Sequence, residues 1–285
     1  MKNEKFWTIL KLLRYHQWIK NLFLLIPLIF STQFLDPYKI FLCVMAIISF
    51  SMVASTVYIF NDLNDIEEDK LHPRKKNRPL ASGLIQPIKA KIIAILILIT
   101  ALTIAFLINW QFFIIVIFYI ILNILYTIIG KKQPIWDILI LASFYIIRVI
   151  GGGFAISVPI TSWLLLTTFF AALFLGSGKR YIELLTHGKK SRKVLENYSE
   201  DFLKYTLYLS SFCTILFYSI YSMTKSFYFE LSIVFVVTGF LMYFYSLFGN
   251  KIHEDPVSAL IENKSMFVIS ALWGIYIFIL LILKL

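Results

Sequence analysis

Long apolar runs recur along this chain and restrict its fold more than any other feature. The 285 residues are 59% hydrophobic and only 15% charged, and the mean hydropathy is +0.80. Mainly apolar segments of about 18 residues or more are typical of helices that cross a membrane. We therefore predict an all-α polytopic membrane protein, with about nine transmembrane helices in a single transmembrane domain over residues 1–285.

Nine segments fit this description. They are residues 21–35, 39–60, 88–108, 111–129, 135–157, 161–178, 203–223, 229–248 and 264–284. The first is short and contains Pro27, so a kink or an earlier start near Trp18 is expected there. Residues 1–20 are basic and amphipathic, which predicts a cytoplasmic N-terminal segment and not a cleavable signal. Cys43 and Cys213 lie inside apolar segments and are interpreted as packing residues.

Charge alternates between successive connections and predicts the topology. Nearly all Lys and Arg lie in the N-terminus and in the connections at 61–91, 130–134, 179–200 and 249–264. The opposite connections carry only Lys225, with Lys39 just beyond the first of them. By the positive-inside rule the N-terminus is cytoplasmic, and nine spans then place the C-terminus outside. The net charge of +11 is thus explained by topology and anionic substrates, and we predict no nucleic-acid partner.

A cluster of acids follows the second apolar segment directly. If one helix continued through it at about 100° per residue, Asn61, Asp62, Asp65 and Asp69 would share roughly a quadrant. Hard oxygen ligands suit Mg²⁺, which proteins typically hold through one or two carboxylates plus substrate phosphates. Basic residues follow at once: Lys70, Arg74, Lys75, Lys76 and Arg78. This pattern predicts a magnesium-dependent diphosphate site, and the alternative is a solvated loop with balanced charges.

Three further polar groups lie within or beside the apolar segments. Tyr119, Asn123 and Tyr126 form one helical stripe, which suits either a cavity lining or helix packing. Arg148 lies deep in the fifth segment, where it suits either an anion-binding role or a buried ion pair. Lys179 and Arg180 end the sixth segment, where the helix dipole alone also favours cations. Glu183 stands four residues after Lys179 and is expected to orient it.

The acidic cluster, Asn61-Asp62-x-x-Asp65-x-x-x-Asp69, resembles the first motif of the UbiA-type intramembrane prenyltransferase superfamily. That resemblance implies helices around a cytoplasm-facing cavity. Other motifs are similar to one branch, the polyprenyl-phosphate (decaprenyl-phosphate) phosphoribosyltransferases. They are His16-Gln17-Trp18-Ile19-Lys20-Asn21, Asp69-Lys70-Leu71-His72-Pro73 with Lys75, Arg78-Pro79 and Gly83, Arg148 with Gly151-Gly152-Gly153, Trp163, and Gly178-Lys179-Arg180-Tyr181-Ile182-Glu183-Leu184. The likeness covers about residues 14–185 well and the last hundred residues poorly.

The branch implies transfer of 5-phosphoribose from phosphoribosyl diphosphate to a polyprenyl phosphate at the plasma membrane, with release of diphosphate. Cell-wall biogenesis is the implied context. The implied metal ligands for Mg²⁺ are Asp62, Asp65 and Asp69, helped by Asn61. Donor phosphates would meet Lys75, Arg78, Lys179 and Arg180, and the acceptor's phosphate would meet Lys20 and Arg148. Tyr126, Lys131 and Asp137 complete the expected substrate-binding set. A homo-oligomer is as compatible with the sequence as a monomer.

The second acidic motif of ordinary prenyltransferases is incomplete here, because Leu141 stands four residues after Asp137. This departure makes a second magnesium site of the usual kind doubtful and favours the phosphoribosyltransferase branch. The competing function is transfer of a prenyl chain from a prenyl diphosphate to an aromatic or lipid acceptor. A carrier for an anionic metabolite is less compatible with the sequence, since a transporter needs polar groups reachable from both sides.

Overall fold

The computed structural model describes residues 2–72, 75–188, 193–249 and 263–284, and these residues form helices and turns without a strand. The short helices are α1 (Lys2–Leu12), α2 (Ile26–Phe30), α4 (Ile66–Leu71), α9 (Lys193–Glu196) and α11 (Phe227–Leu231). The long helices are α3 (Pro37–Asn64), α5 (Pro87–Ile108), α6 (Trp110–Ile128), α7 (Pro134–Ala155), α8 (Ser162–His187), α10 (Glu200–Met223), α12 (Ile233–Phe248) and α13 (Lys264–Leu283). Short 3₁₀ helices cover Tyr15–Leu25, Lys75–Asn77 and Gly130–Lys132.

Within the described ranges, eight segments are long and apolar enough to cross a membrane, with α11 and α12 counted as one. They correspond to the second through ninth predicted segments. The first predicted segment differs, because residues 15–25 form a 3₁₀ helix and only Ile26–Phe30 is α-helical. Pro27 lies in the first turn of α2, where its missing N–H costs no hydrogen bond.

The chain divides into two compact units. The first comprises Met1–Thr127 and Ile147–Pro159, and the second comprises Ile128–Ile146 and Ile160–Leu285. Helix α7 contributes its first half to the second unit and its second half to the first. The prediction of a single domain over residues 1–285 stays a prediction, as does the cytoplasm-facing cavity.

Small residues allow α3 and α5 to pack closely in the first unit. Ala90, Ala94, Ala101 and Ala105 are fully buried, and their spacing places them on one face of α5. Ser49 of α3 donates to the carbonyl of Ala101 at 2.8 Å. Small residues of this kind let two helix backbones approach each other within a membrane. Helix α3 therefore has a fixed position, and its C-terminal end carries the acidic cluster.

Aromatic and aliphatic side chains build the core of the second unit. Phe174 of α8 contacts Phe240 and Tyr243 of α12 edge-to-face, with ring centroids 4.9 Å apart in each case. Side-chain caps fix where the helices begin, since Thr161 accepts from the backbone N–H of Leu164 and Ser199 from that of Phe202. These contacts hold α8, which carries Lys179 and Arg180 near its C-terminal end.

Some features of the sequence analysis lie outside the described residues. These are Pro73 and Arg74 of the basic run, residues 189–192 of the 179–200 connection, and residues 250–262 of the 249–264 connection.

Candidate active site

Helix α3 ends at Asn64 and α4 begins at Ile66, so the acidic cluster does not lie on one helix. Asp65 stands at the break, with φ −100° and ψ 11°. The expectation of four ligands on one continuous helical face is therefore wrong. Asp62 remains on the last turn of α3, while Asp69 lies on α4 after a change of direction. Tertiary contacts, and not helical periodicity, bring these two acids together.

Arg78 joins the two buried carboxylates. Its Nη1 donates to Asp62 Oδ1 at 3.0 Å and to Asp69 Oδ2 at 2.5 Å. Asp62 and Asp69 are only 3% and 1% exposed, so each depends on a cation to offset the cost of its burial. Arg14 supplies a second guanidinium and donates from Nη2 to the same Oδ1 of Asp62. Two acids and two arginines thus form a compact cluster in the first unit.

One oxygen of this cluster has no hydrogen-bond partner among the residues that the structure describes. Asp69 Oδ1 is buried and accepts no hydrogen bond, while the ammonium of Lys75 is 3.7 Å away. An orphaned buried carboxylate oxygen is costly, and it is a suitable ligand for a hard cation such as Mg²⁺. In the part of the chain that the structure describes, no three His, Cys, Asp or Glu side chains come together as a metal cluster. Two carboxylates with substrate phosphates are nevertheless an ordinary donor set for Mg²⁺.

Four other predicted site residues belong to the first unit: Lys20, Asn61, Asp65 and Tyr126. Asp65 is half-buried, and among the described residues its carboxylate forms no ion pair. Asn61 accepts a long hydrogen bond of 3.4 Å from Thr127 of α6. Lys20 and Tyr126 are half-buried. The substrate and metal roles of these four residues stay predictions.

Arg14 is a site residue that sequence reasoning missed. It lies at the junction of α1 and the first 3₁₀ helix in the left-handed region, with φ 50° and ψ 48°. Ser55 of α3 fixes the preceding peptide by donating to the carbonyl of Leu13 at 2.8 Å. The ring of Tyr58 lies 4.9 Å from the Arg14 guanidinium. In the sequence Arg14 is one of several basic residues before an apolar run, and no local pattern distinguishes it.

The 3₁₀ helix that follows Arg14 is fastened to α3 by polar contacts. Trp18 donates to Ser55 at 3.0 Å and Asn21 donates to Ser51 at 2.9 Å. Three residues per turn place Trp18 and Asn21 on the same face of a 3₁₀ helix. This register places Arg14 beside Asp62.

Arg148 is buried in the first unit and 4% exposed. Its Nε donates to Asn21 Oδ1 at 2.8 Å and its Nη2 to the hydroxyl of Tyr119 at 3.3 Å. The rings of Phe50 and Tyr119 lie 5.5 Å and 5.1 Å from its guanidinium. Tyr119 therefore packs within the helix bundle. Asn123 of the same stripe donates to the backbone of its own helix. The acceptor-phosphate role of Arg148 stays a prediction.

In the second unit, Arg180 holds both oxygens of Asp137. Its Nε donates to Oδ2 at 2.5 Å and its Nη2 to Oδ1 at 2.9 Å, while Nη1 donates to Glu183 at 2.9 Å. The expected pairing of Glu183 with Lys179 is wrong, because Glu183 contacts Arg180 and the exposed Lys179 forms no ion pair within the described chain. Lys131 is exposed as well. The predicted substrate contacts of Lys131, Asp137, Lys179 and Arg180 are not tested by this geometry.

His16 lies two residues after Arg14, in a region of positive charge. Partial burial, and then the charges of Arg14 and Lys20, lower the pKa of His16 below its ordinary value of 6.5. Both effects favour the neutral imidazole.

Two curated proteins with the same name are similar in sequence to this chain. The curated decaprenyl-phosphate phosphoribosyltransferase of Mycolicibacterium smegmatis is 33% identical over 76% of this chain and 70% of that protein. The protein of the same name from Mycobacterium tuberculosis (strain H37Rv) is 29% identical over 93% of this chain and 91% of its own length.

Solved structures show the same fold. A UbiA homologue from Archaeoglobus fulgidus bound to GPP and Mg²⁺ has a TM-score of 0.72 at 20% identity, covering 96% of this chain and 99% of that one. Residues 22–255 match the UbiA prenyltransferase family. This chain is a multi-pass membrane protein that belongs to the UbiA prenyltransferase family.

Proposed function

We propose that this protein transfers 5-phosphoribose from phosphoribosyl diphosphate to a polyprenyl phosphate and releases diphosphate. The observation that carries the proposal is the ion cluster in the first unit, in which two buried carboxylates meet Arg14, Arg78 and Lys75. Cations and acids placed together suit a magnesium–diphosphate substrate. The phosphoribosyltransferase relatives at 29–33% identity support the choice of donor and acceptor.

The chemistry requires little from a general base. An anionic oxygen of the lipid phosphate forms the new bond to C1 of the ribose. The bond from C1 to the diphosphate oxygen breaks, and the diphosphate leaves with the electron pair. The acceptor is already ionised, so no proton must be removed from it. Holding its oxygen in line with C1 is the main task of the protein. Arg78 and Lys75 stabilise the charge that develops on the leaving group.

Asp62 and Asp69 would hold the Mg²⁺, with Asp65 and Asn61 as further predicted ligands. When bound, the metal supplies charge stabilisation at the leaving oxygen. The orphaned Oδ1 of Asp69 supports this assignment, because it is a buried acceptor that no donor in the described ranges satisfies. The second magnesium site, which the incomplete second motif already makes doubtful, has no such support. Both oxygens of Asp137 are already engaged by Arg180.

The proposal places the N-terminus and the site on the cytoplasmic face of the plasma membrane. Its support is the charge asymmetry of the connections, and the site stands at the end of α3 that leads into the basic run. Phosphoribosyl diphosphate is a soluble, highly charged donor and is therefore taken from water, whereas the polyprenyl tail stays in lipid.

The test uses purified protein with polyprenyl phosphate and either radiolabelled phosphoribosyl diphosphate or a radiolabelled prenyl diphosphate. We expect a labelled lipid only from the phosphoribosyl donor, and only with Mg²⁺. A labelled lipid that forms solely from prenyl diphosphate and an aromatic or lipid acceptor would refute the proposal in favour of ordinary prenyl transfer.

Asp62→Asn and Asp69→Asn are the diagnostic variants for this test. Each removes one carboxylate charge from the cluster, and we expect a loss of turnover of at least about 100-fold. Lys11→Gln is the control, since it changes one charge on α1 without touching the cluster. Full activity in both Asp variants would exclude the cluster as the metal site.

A further inference from the structure

Asp62 Oδ1 carries two guanidinium contacts at once. Arg14 and Arg78 both donate to this oxygen, and Arg78 also donates to Asp69 Oδ2. A carboxylate oxygen directed at two arginines cannot at the same time bind a metal ion in the same direction. Of the carboxylate oxygens in this cluster, Asp62 Oδ1 and Asp69 Oδ2 are therefore occupied by arginine in the state that the structure describes.

The charge balance of the cluster determines when arginine can release Asp62 to a metal ion. Arg14, Arg78 and Lys75 supply three positive charges against the two of Asp62 and Asp69. A divalent ion added alone would face this excess of positive charge at short range. A diphosphate reverses the balance, because it brings several negative charges and planar oxygen faces that arginine binds bidentately.

Arg14 is well placed for such an exchange. Its side chain is 21% exposed, whereas that of Asp62 is 4% exposed, so Arg14 is accessible to a soluble anion while the acid it pairs with is not. Its backbone stays fixed, since the peptide before it is held by Ser55 and the residues after it by Trp18 and Asn21. Rotation of the side chain alone would move the guanidinium.

We propose that Arg14 is a further anion-binding residue of this site, paired with Asp62 in the empty protein and transferred to a phosphate of the donor when the metal takes Asp62. This inference rests on the proposed function. Its consequence is a coupling: metal and diphosphate each bind weakly alone and strengthen each other, by the same factor in both directions. The arginines thus prevent binding of metal without donor.

The experiment measures binding and not turnover. Mn²⁺ replaces Mg²⁺ as the probe, and its dissociation constant is measured by electron paramagnetic resonance on the full chain, with and without inorganic diphosphate. In the unaltered protein we expect diphosphate to tighten Mn²⁺ binding by about tenfold or more, within the usual range of such couplings. The free Mn²⁺–diphosphate complex is measured in parallel and subtracted.

Arg14→Gln is the test variant. It frees Asp62 from one guanidinium and removes one phosphate contact, so Mn²⁺ alone should bind several-fold more tightly while the effect of diphosphate becomes smaller. Arg14→Lys should restore part of the coupling, because an ammonium still pairs with phosphate but lacks the bidentate fork. Lys11→Gln carries the same charge change three residues earlier and should behave like the unaltered protein.

The outcomes separate this inference from the function on which it rests. If Arg14→Gln keeps the coupling of the unaltered protein, Arg14 does not bind the donor and the inference fails while the proposed function stands. If Arg14→Gln weakens Mn²⁺ binding in the absence of diphosphate, Arg14 only supports Asp62, and the inference again fails. If the unaltered protein binds neither Mn²⁺ nor diphosphate, both the inference and the metal-dependent function fail.

Discussion

Arg148 donates from Nε to the side-chain oxygen of Asn21 at 2.8 Å, across 127 positions of the sequence. Both side chains are buried, and the amide of Asn21 in turn donates to Ser51 of α3. These contacts fix the 3₁₀ helix to α3 and to the second half of α7. The same 3₁₀ helix begins directly after Arg14. The register of the candidate site thus depends on a contact far along the chain from the acidic motif.

Asn21→Ala should lower thermal stability in detergent, because it removes the acceptor of the buried Nε–H of Arg148. The expected loss is about 1–3 kcal/mol. Ser51→Ala is the matched control, since it removes the neighbouring hydrogen bond and leaves Arg148 paired with Asn21, and its loss should be smaller. Equal losses in the two variants would mean that the Arg148–Asn21 hydrogen bond contributes no more stability than the Asn21–Ser51 hydrogen bond.

If Arg148 also meets the acceptor, Arg148→Leu will raise the KM for polyprenyl phosphate and leave the KM for the donor unchanged.

Asp137→Asn should destabilise the protein more than Glu183→Gln. Asp137 is 1% exposed and accepts two hydrogen bonds from Arg180, whereas the side chain of Glu183 is 17% exposed and accepts one. Removing one partner of a buried pair leaves an uncompensated charge, at a cost of up to about 3–5 kcal/mol. Thermal unfolding of both variants in one detergent checks the order. The reverse order would show that Glu183 is the main partner of Arg180.

Gly152→Ala should impair folding, because a Cβ at Gly152 would lie 2.2 Å from the carbonyl oxygen of Leu24. That oxygen belongs to backbone and cannot rotate away. Gly239→Ala and Gly274→Ala are matched controls in membrane-spanning helices, since a Cβ at either meets no atom within 4 Å. We expect reduced yield of folded protein and a lower melting temperature only for Gly152→Ala, measured by size-exclusion chromatography and thermal unfolding. A normal melting temperature for this variant would refute the close approach.

Asp65→Asn tests the predicted ligand that stands apart from the ion cluster. The motif predicts a collapse of turnover with the protein still folded in the membrane. Asp65 is half-buried at the break between α3 and α4, so the substitution should change the free energy of unfolding by no more than about 0.5 kcal/mol. Steady-state turnover at saturating Mg²⁺ is the measurement. Undiminished turnover would leave the metal to Asp62 and Asp69 alone.

His16 should titrate below pH 6.5, and Lys20→Gln should move its pKa upward, because a like charge is removed. The folded state disfavours the imidazolium, so the unfolded chain binds this proton first. Stability from His16 is therefore complete above pH 6.5 and is lost as the pH falls from that value through the lower pKa of the folded state. Carbon-13 NMR of labelled histidine in detergent gives the pKa, with His16→Ala for assignment. Lys225→Gln, in a different connection, should not change it.

The sequence by itself determined the eight long helices, because each is encoded by its own run of apolar residues and needs no partner to satisfy its backbone. It also indicated Asp62 and Asp69 as candidate metal ligands; both are buried in the structure, and their role as ligands stays a prediction. Only the tertiary structure decided how they meet. The contact of Arg14 with Asp62 and the contact of Arg180 with Asp137 each join residues distant in the chain. Local periodicity carries no information about such contacts, because they are set by the packing of helices that begin and end elsewhere.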